Sequence, residues 1–87
     1  TPPECGWDTL RLNANLDLGK LRHAREELAD AERLYTLAVE TAQSLLTRHP
    51  NSVFPLILAG RSWNHLGLCL EYQMRPEEAQ RCYVRTL

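Results

Sequence analysis

Apolar residues recur at intervals of three and four along most of the chain, the spacing that places side chains on one face of an α-helix. The β-branched residues that favour strands are few and scattered. Four apolar stripes follow one another: Leu10, Ala14, Leu18, Leu21 and Leu28; Leu28, Ala31, Tyr35, Ala38, Ala42 and Leu45; Leu56, Gly60, Trp63, Leu66, Gly67 and Leu70; and Ala79, Cys82, Tyr83 and Leu87. The pattern predicts an all-α chain with two antiparallel helical hairpins.

Prolines predict where these helices begin and end. None interrupts residues 8–48, a stretch of about 40 residues that is too long for one ordinary globular helix. We therefore expect a bend within residues 23–28, although no strong breaker marks it. Pro50 ends the second helix, while Pro55 and Pro76 fit the first turns of the third and fourth.

The domain organisation follows from these boundaries. Residues 1–7 are expected to form an N-terminal arm, and Asp8 is a candidate N-cap for the first helix. Residues 8–87 then form one helical domain, with a first hairpin at about 8–48 and a second at 52–87.

Composition excludes several classes of function. The hydrophobic fraction of 44% is that of a globular chain. A net charge of −1 leaves no basic excess for nucleic acid, and no apolar run approaches the roughly 20 residues of a membrane span. Three cysteines (Cys5, Cys69 and Cys82) without a C-x-x-C pair suit reduced thiols, so we expect an intracellular, cytoplasmic protein.

Two segments match when one is shifted by 48 residues. The shift aligns Leu18 and Gly19 with Leu66 and Gly67, Ala31 with Ala79, Arg33 with Arg81, and Tyr35 with Tyr83. A glycine inside a helix costs about 1 kcal/mol relative to alanine. Its repetition therefore predicts a close helix crossing, with each glycine opposite the aligned alanine and the tyrosine filling the space beside them.

The second copy resembles the tetratricopeptide repeat, which reads W-x-x-L-G-x-x-Y and then A-x-x-x-F over about 34 residues. Trp63, Leu66, Gly67 and Ala79 stand at the expected offsets, and Tyr83 replaces the phenylalanine. Leucine stands in place of the motif's tyrosine, and the first copy lacks the tryptophan. Because the shift of 48 residues exceeds the usual period, the repeats look like the longer ones of kinesin light chains. The resemblance implies that the two hairpins stack as a fragment of an α-solenoid.

The same resemblance implies a partner-binding groove lined by the first helix of each hairpin. Carried over by position, the groove residues are Asn13, Leu16 and Lys20 in the first copy and Arg61, Asn64, Leu68, Glu71 and Tyr72 in the second. Relatives that grip a C-terminal carboxylate place asparagine just after the glycine, where this chain has Lys20 and Leu68, so that clamp is not expected. The alternative is that these residues form a solvated helix face.

Catalysis has little support in the sequence. No phosphate loop, H-E-x-x-H motif or recognisable nucleophile setting is present, and we expect no enzyme and no cofactor. His65 and Cys69 stand at i and i+4, with Cys82 as a possible third metal ligand, but a core cysteine beside a half-exposed histidine is the simpler interpretation. Trp63 is expected in the core, whereas Trp7 either packs on the first helix or stays exposed for a partner.

Taken together, the sequence predicts a module that binds a partner protein segment through the groove or through the open ends of the helical stack. Two hairpins are fewer than the three repeats such arrays usually need, so neighbouring repeats or a second copy are candidate partners too. A self-contained helical bundle for oligomerisation or docking is the first alternative. A metal-dependent enzyme around His65 is the second.

Overall fold

The structure is a computed structural model that describes residues 3–86, with side chains described for residues 6–85. This part of the chain is all-helical and contains four helices. They are α1 (Pro3–Ala24), α2 (Leu28–Arg48), α3 (Val53–Tyr72) and α4 (Pro76–Thr86). Residues 1 and 2 of the expected arm, the Cys5 side chain and Leu87 of the fourth stripe lie outside the described residues.

The first helix begins earlier than the sequence predicted. It starts at Pro3, so residues 3–7 of the expected arm belong to α1. Proline suits this position because its fixed φ is already helical and its missing N–H has no partner there in any helix. Asp8 is therefore not an N-cap but lies inside α1, where its carboxylate accepts a hydrogen bond from the Arg48 guanidinium at the end of α2.

Each hairpin has one turn that joins its two helices, and the two turns have the same structure 48 positions apart. In the first, Glu26 N–H donates to His23 at 2.9 Å and Glu27 N–H donates to Arg22 at 2.9 Å. In the second, the same two bonds run from Met74 to Glu71 at 2.9 Å and from Arg75 to Leu70 at 3.0 Å. Both are Schellman motifs, in which the second residue after the end of the helix adopts a left-handed conformation. Glu26 and Met74 hold φ at 63° and 62°.

Each helix packs against its neighbour in sequence, so the four lie side by side in a plate. The principal extents are 39 × 24 × 13 Å. Besides these neighbours, only α1 and α3 approach one another. Over residues 3–86, no Cα atom of α1 or α2 lies within 8 Å of one in α4. The helices therefore do not close around a common centre.

The buried residues differ from two of the predicted apolar stripes, those of α1 and α3. Leu10, Leu18 and Leu21 of α1 are exposed, and the buried residues of that helix are Leu12, Leu16 and Gly19 instead. On α3 the exposed residue is Leu56. The stripe predicted for α2 is buried, as expected, except that Leu28 is only partly buried. The buried hydrophobic residues are Leu12, Leu16, Ala31, Tyr35, Ala38, Val39, Ala42, Leu45, Leu58, Ala59, Leu66, Cys69, Leu70, Ala79 and Cys82. Trp63 is half-buried and packs against this core.

Each repeated glycine makes room for a tyrosine ring. A Cβ added at Gly19 would lie 2.6 Å from Tyr35 Cε1, and one added at Gly67 would lie 2.7 Å from Tyr83 Cε1. The three atoms nearest to each added Cβ all belong to the tyrosine, so the close partner is the ring and not the alanine that the sequence suggested. The same glycine–tyrosine contact thus joins α1 to α2 and α3 to α4.

A polar cluster ties α2 to the turn between α3 and α4. Arg75 donates to both carboxylate oxygens of Glu78, at 2.6 and 2.8 Å, and to Glu32 at 2.8 Å. Gln73 donates to the same Glu32 oxygen at 2.9 Å. Glu32 therefore fixes the second hairpin against the first, and the guanidinium holds the pKa of Glu78 below its ordinary value.

Candidate functional site

The candidate groove is formed on α3 by residues that recur at helical spacing and face solvent. Arg61, Asn64, Leu68 and Tyr72 are all exposed. Their spacing of three or four residues places them on one face of the helix. Leu68 is 43% exposed and Tyr72 is 64% exposed. This face thus combines a cation, an amide and two large apolar side chains.

The contribution of α1 is smaller than the sequence predicted. Lys20 is exposed and Asn13 is half-buried. Leu16, however, is only 2% exposed and belongs to the core, because it lies on the same inward side as the buried Leu12. We therefore remove Leu16 from the candidate groove.

Ring contacts bring α1 and α3 together at this surface. The His23 ring on α1 meets the Tyr72 ring on α3 edge to face, with centroids 4.6 Å apart. His65 on α3 stacks on Tyr35 of α2, with centroids 5.4 Å apart. The ring of Tyr35 therefore contacts α3 through His65 and α1 through the space at Gly19.

Two cations, Lys20 and Arg61, act on His65 at this surface. Burial lowers the pKa of His65, and the nearby charges of Lys20 and Arg61 lower it further, with a smaller effect from His23. Lys20 also lies 3.8 Å from Asp17 on the same helix, in an exposed ion pair. Lys20 and Arg61 thus give this surface two exposed cations, of which Lys20 is already paired with Asp17.

Glu71 lies at the edge of this surface and is already engaged. It accepts a hydrogen bond from the hydroxyl of Tyr83 on α4. Burial and this carboxylate raise the pKa of Tyr83 to about 12. Glu71 therefore contributes to the packing of α4, in addition to any contact with a ligand.

Two groove residues were missed by sequence reasoning, Asp17 and His65. Asp17 stands four residues after Asn13 and three before Lys20, and His65 stands four residues after Arg61. Helical spacing alone would have placed both beside the predicted residues. Asp17 adds a carboxylate that pairs with Lys20, and His65 adds a ring that stacks on Tyr35.

The thiols in the core are unsuited to nucleophilic chemistry. Cys69 and Cys82 are buried, and burial raises the pKa of both, which keeps them as neutral thiols. The Cys69 thiol contacts the Leu28 carbonyl oxygen at 3.4 Å. Among the described side chains, no group of three or more His, Cys, Asp and Glu residues is placed to hold a metal ion.

Comparisons with protein-family models, with curated proteins and with solved structures give no match to this chain. None of the helices within residues 3–86 has the length and apolar character that crossing a membrane requires.

Proposed function

We propose that this chain is a tetratricopeptide-like interaction module that binds a segment of another protein along the α1–α3 surface. The observation that carries the proposal is the duplication of one hairpin geometry after 48 residues, with an exposed face on the first helix of each copy. Repeats of this kind create extended binding surfaces from equivalent helices.

The arrangement of the helices supports an open stack over the rival closed bundle. In a closed four-helix bundle the first and last helices pack together around one axis. Here the described parts of α1 and α4 do not approach each other, whereas α1 and α3 do. Contact between alternate helices is what stacked hairpins produce.

The chemistry of the groove supports an extended peptide with an acidic residue as the ligand. Lys20 and Arg61 offer cations near His65, Asn64 offers amide hydrogen bonds, and Leu68 with Tyr72 offers apolar contact area. Large aromatic and Arg side chains are enriched among residues that dominate binding energy.

The test is a comparison of proteins captured from cell extract by the wild type and by a triple variant, Lys20→Ala/Arg61→Ala/Asn64→Ala. All three side chains point away from the core, so we expect the variant to keep its helicity and melting temperature while losing its specific partners. A matched triple variant of exposed residues on α2, Arg33→Ala/Glu40→Ala/Ser44→Ala, should capture the wild-type set. Identical capture by all three proteins would refute the groove as the binding surface.

A further inference from the structure

One apolar face of α1 is exposed although its equivalent on α3 is buried. The residues of this open face are Trp7, Leu10, Ala14, Leu18 and Leu21, and the residues 48 positions later are Pro55, Leu58, Ser62, Leu66 and Cys69. Every member of the second set is buried, and every member of the first is exposed. Trp7 is 68% exposed and Leu10 is 62% exposed, whereas Leu58 is 2% exposed.

On α3 this stripe is covered by α2. The Cys69 thiol lies against the Leu28 carbonyl oxygen at the start of α2, and α2 packs against α3. On α1 the inward side, with Leu12 and Gly19, is the one that packs on α2. The open face points the other way and no described residue covers it.

We infer that the open face of α1 binds an amphipathic helix from a partner protein, packed on α1 as α2 packs on α3. This inference rests on the repeat architecture of the proposed function but concerns a different surface from the groove. The interface is a continuation of one already present in the molecule, because the turns and the glycine–tyrosine contacts repeat with the same 48-residue shift.

Charge specifies the partner helix further. In the covered interface, Glu32 of α2 accepts from Gln73 at 2.9 Å. The residue equivalent to Gln73 is Arg25, an exposed cation directly after α1 for which the structure gives no ion pair or side-chain hydrogen bond. Glu27, equivalent to Arg75, is neutralised by Arg22 at 3.0 Å. The partner helix should therefore carry a carboxylate in its first two turns, where α2 carries Glu32.

The probe is a fluorescent peptide of residues 27–49, which contains the α2 stripe, added to the full chain. Within the chain, α2 already covers the equivalent face of α3. Of these two faces, the peptide can therefore bind only to the open face of α1. We expect saturable binding by fluorescence anisotropy. Leu10→Glu should weaken it by at least about tenfold, since a buried apolar contact at the centre of an interface is replaced by a charge.

The matched control is Leu56→Glu, because Leu56 is 61% exposed on α3 and lies outside the open face. This variant should bind the peptide like the wild type. Arg25→Glu should weaken binding, and a peptide carrying Glu32→Lys should restore it. The helicity and melting temperature of each variant are measured to verify that the chain is folded. We expect all variants to fold, because the replaced side chains are exposed.

Four outcomes would overturn the inference. The first is absence of saturable binding at millimolar peptide, and the second is equal binding by wild type and Leu10→Glu. The third is a wild-type dimer that Leu10→Glu disperses in sedimentation equilibrium, which would assign the face to a second copy. Loss of peptide binding in the groove variant Lys20→Ala/Arg61→Ala/Asn64→Ala would move the peptide to the groove, refuting this inference while leaving the proposed function intact.

Discussion

Replacing Gly19 by alanine tests the closest packing contact in the molecule. The added Cβ would stand 2.6 Å from Tyr35 Cε1 and 2.9 Å from Cδ1. Carbon atoms normally approach to about 3.5–4.0 Å, so the ring would have to move by about 1 Å. Tyr35 is only 1% exposed and its ring stacks on His65, which leaves it no solvent-filled space to enter.

The expected loss of stability is the difference of two opposing effects. Overpacking of a buried site costs about 1–3 kcal/mol, and alanine gains about 1 kcal/mol over glycine inside a helix. Gly19→Ala should therefore lower the free energy of unfolding by about 1 kcal/mol, and by up to about 2 kcal/mol if the ring cannot adjust. In a domain of this size, about 1 kcal/mol corresponds to a melting temperature lower by roughly 4–8 °C.

Gly67 and Gly6 provide controls in which an added Cβ meets a movable ring or open space. At Gly67 the obstructing ring belongs to Tyr83, which is half-buried and can turn towards solvent, so Gly67→Ala should stay within about 0.5 kcal/mol of the wild type. At Gly6 an added Cβ meets nothing within 4 Å, and Gly6→Ala should stabilise by up to about 1 kcal/mol.

Urea denaturation followed by circular dichroism at 222 nm measures all three variants. The free energy of unfolding should fall with urea concentration at the same slope as in the wild type. An unchanged slope indicates that the same surface is exposed on unfolding. In a Tyr35→Leu background the effect of Gly19→Ala should reverse to a gain, because the obstructing ring is gone. A gain in stability from Gly19→Ala in the wild-type background, equal to that of Gly6→Ala, would refute the close contact.

Three further sets of changes probe the turns, the half-buried His65 and the polar cluster. Glu26→Gly and Met74→Gly should each stabilise by about 1 kcal/mol in urea denaturation, because a left-handed conformation costs a side chain about 1–2 kcal/mol. Lowering the pH from 7.5 to 5.5 should reduce the free energy of unfolding, and His65→Gln should diminish this dependence. The pKa of His65 is lowered in the folded state, so its contribution is complete above the unfolded pKa and declines as acid protonates the unfolded chain. Glu32→Ala should destabilise by about 1–2 kcal/mol, since it removes two hydrogen bonds with a charged acceptor, whereas Asp17→Ala should change stability by less than about 0.5 kcal/mol because its ion pair is exposed.

Each of these has a result that would contradict it. Destabilisation by both glycine substitutions would mean that the turns are not left-handed at Glu26 and Met74. A stability that falls equally with acid in His65→Gln and in the wild type would assign the pH dependence to other groups. Equal effects of Glu32→Ala and Asp17→Ala would show that the Glu32 cluster behaves as an ordinary surface ion pair.

The sequence predicts the helices and their connections well, because these depend on local signals. The turn between α1 and α2 lies at residues 25–27, inside the predicted interval, and the helix that follows Pro50 begins at Val53. The turns themselves were hard to recognise because Glu26 and Met74 occupy the left-handed position that glycine normally marks. The start of α1 was misplaced because Asp8 has the chemistry of a cap, although it pairs with Arg48.

The candidate groove depends on which face of a helix turns inward, and periodicity does not determine this. The pattern gave α1 an inward stripe through Leu10 and Leu18, whereas Leu12 and Leu16 are the buried leucines. Both sets have helical spacing, offset by two residues, which is a rotation of about 200° around the axis. Choosing between them required the position of α2, fixed by the contact of Gly19 with Tyr35.

The exposed leucines of α1, Leu10, Leu18 and Leu21, are the main support for the inferred partner helix. A helix at the edge of a stack normally has one apolar stripe and a polar opposite face, while a helix with apolar residues all round is buried on several sides. The helix α3 has two buried apolar stripes because α2 and α4 flank it, and α1 carries two apolar stripes although α2 is the main helix packed on it and α3 only touches it. Leu10, Leu18 and Leu21 are 62%, 42% and 53% exposed, so about half of their apolar surface adds nothing to the stability of the chain. Their spacing matches the buried face of α3 position by position, which supports the inferred binding of a partner helix on this face.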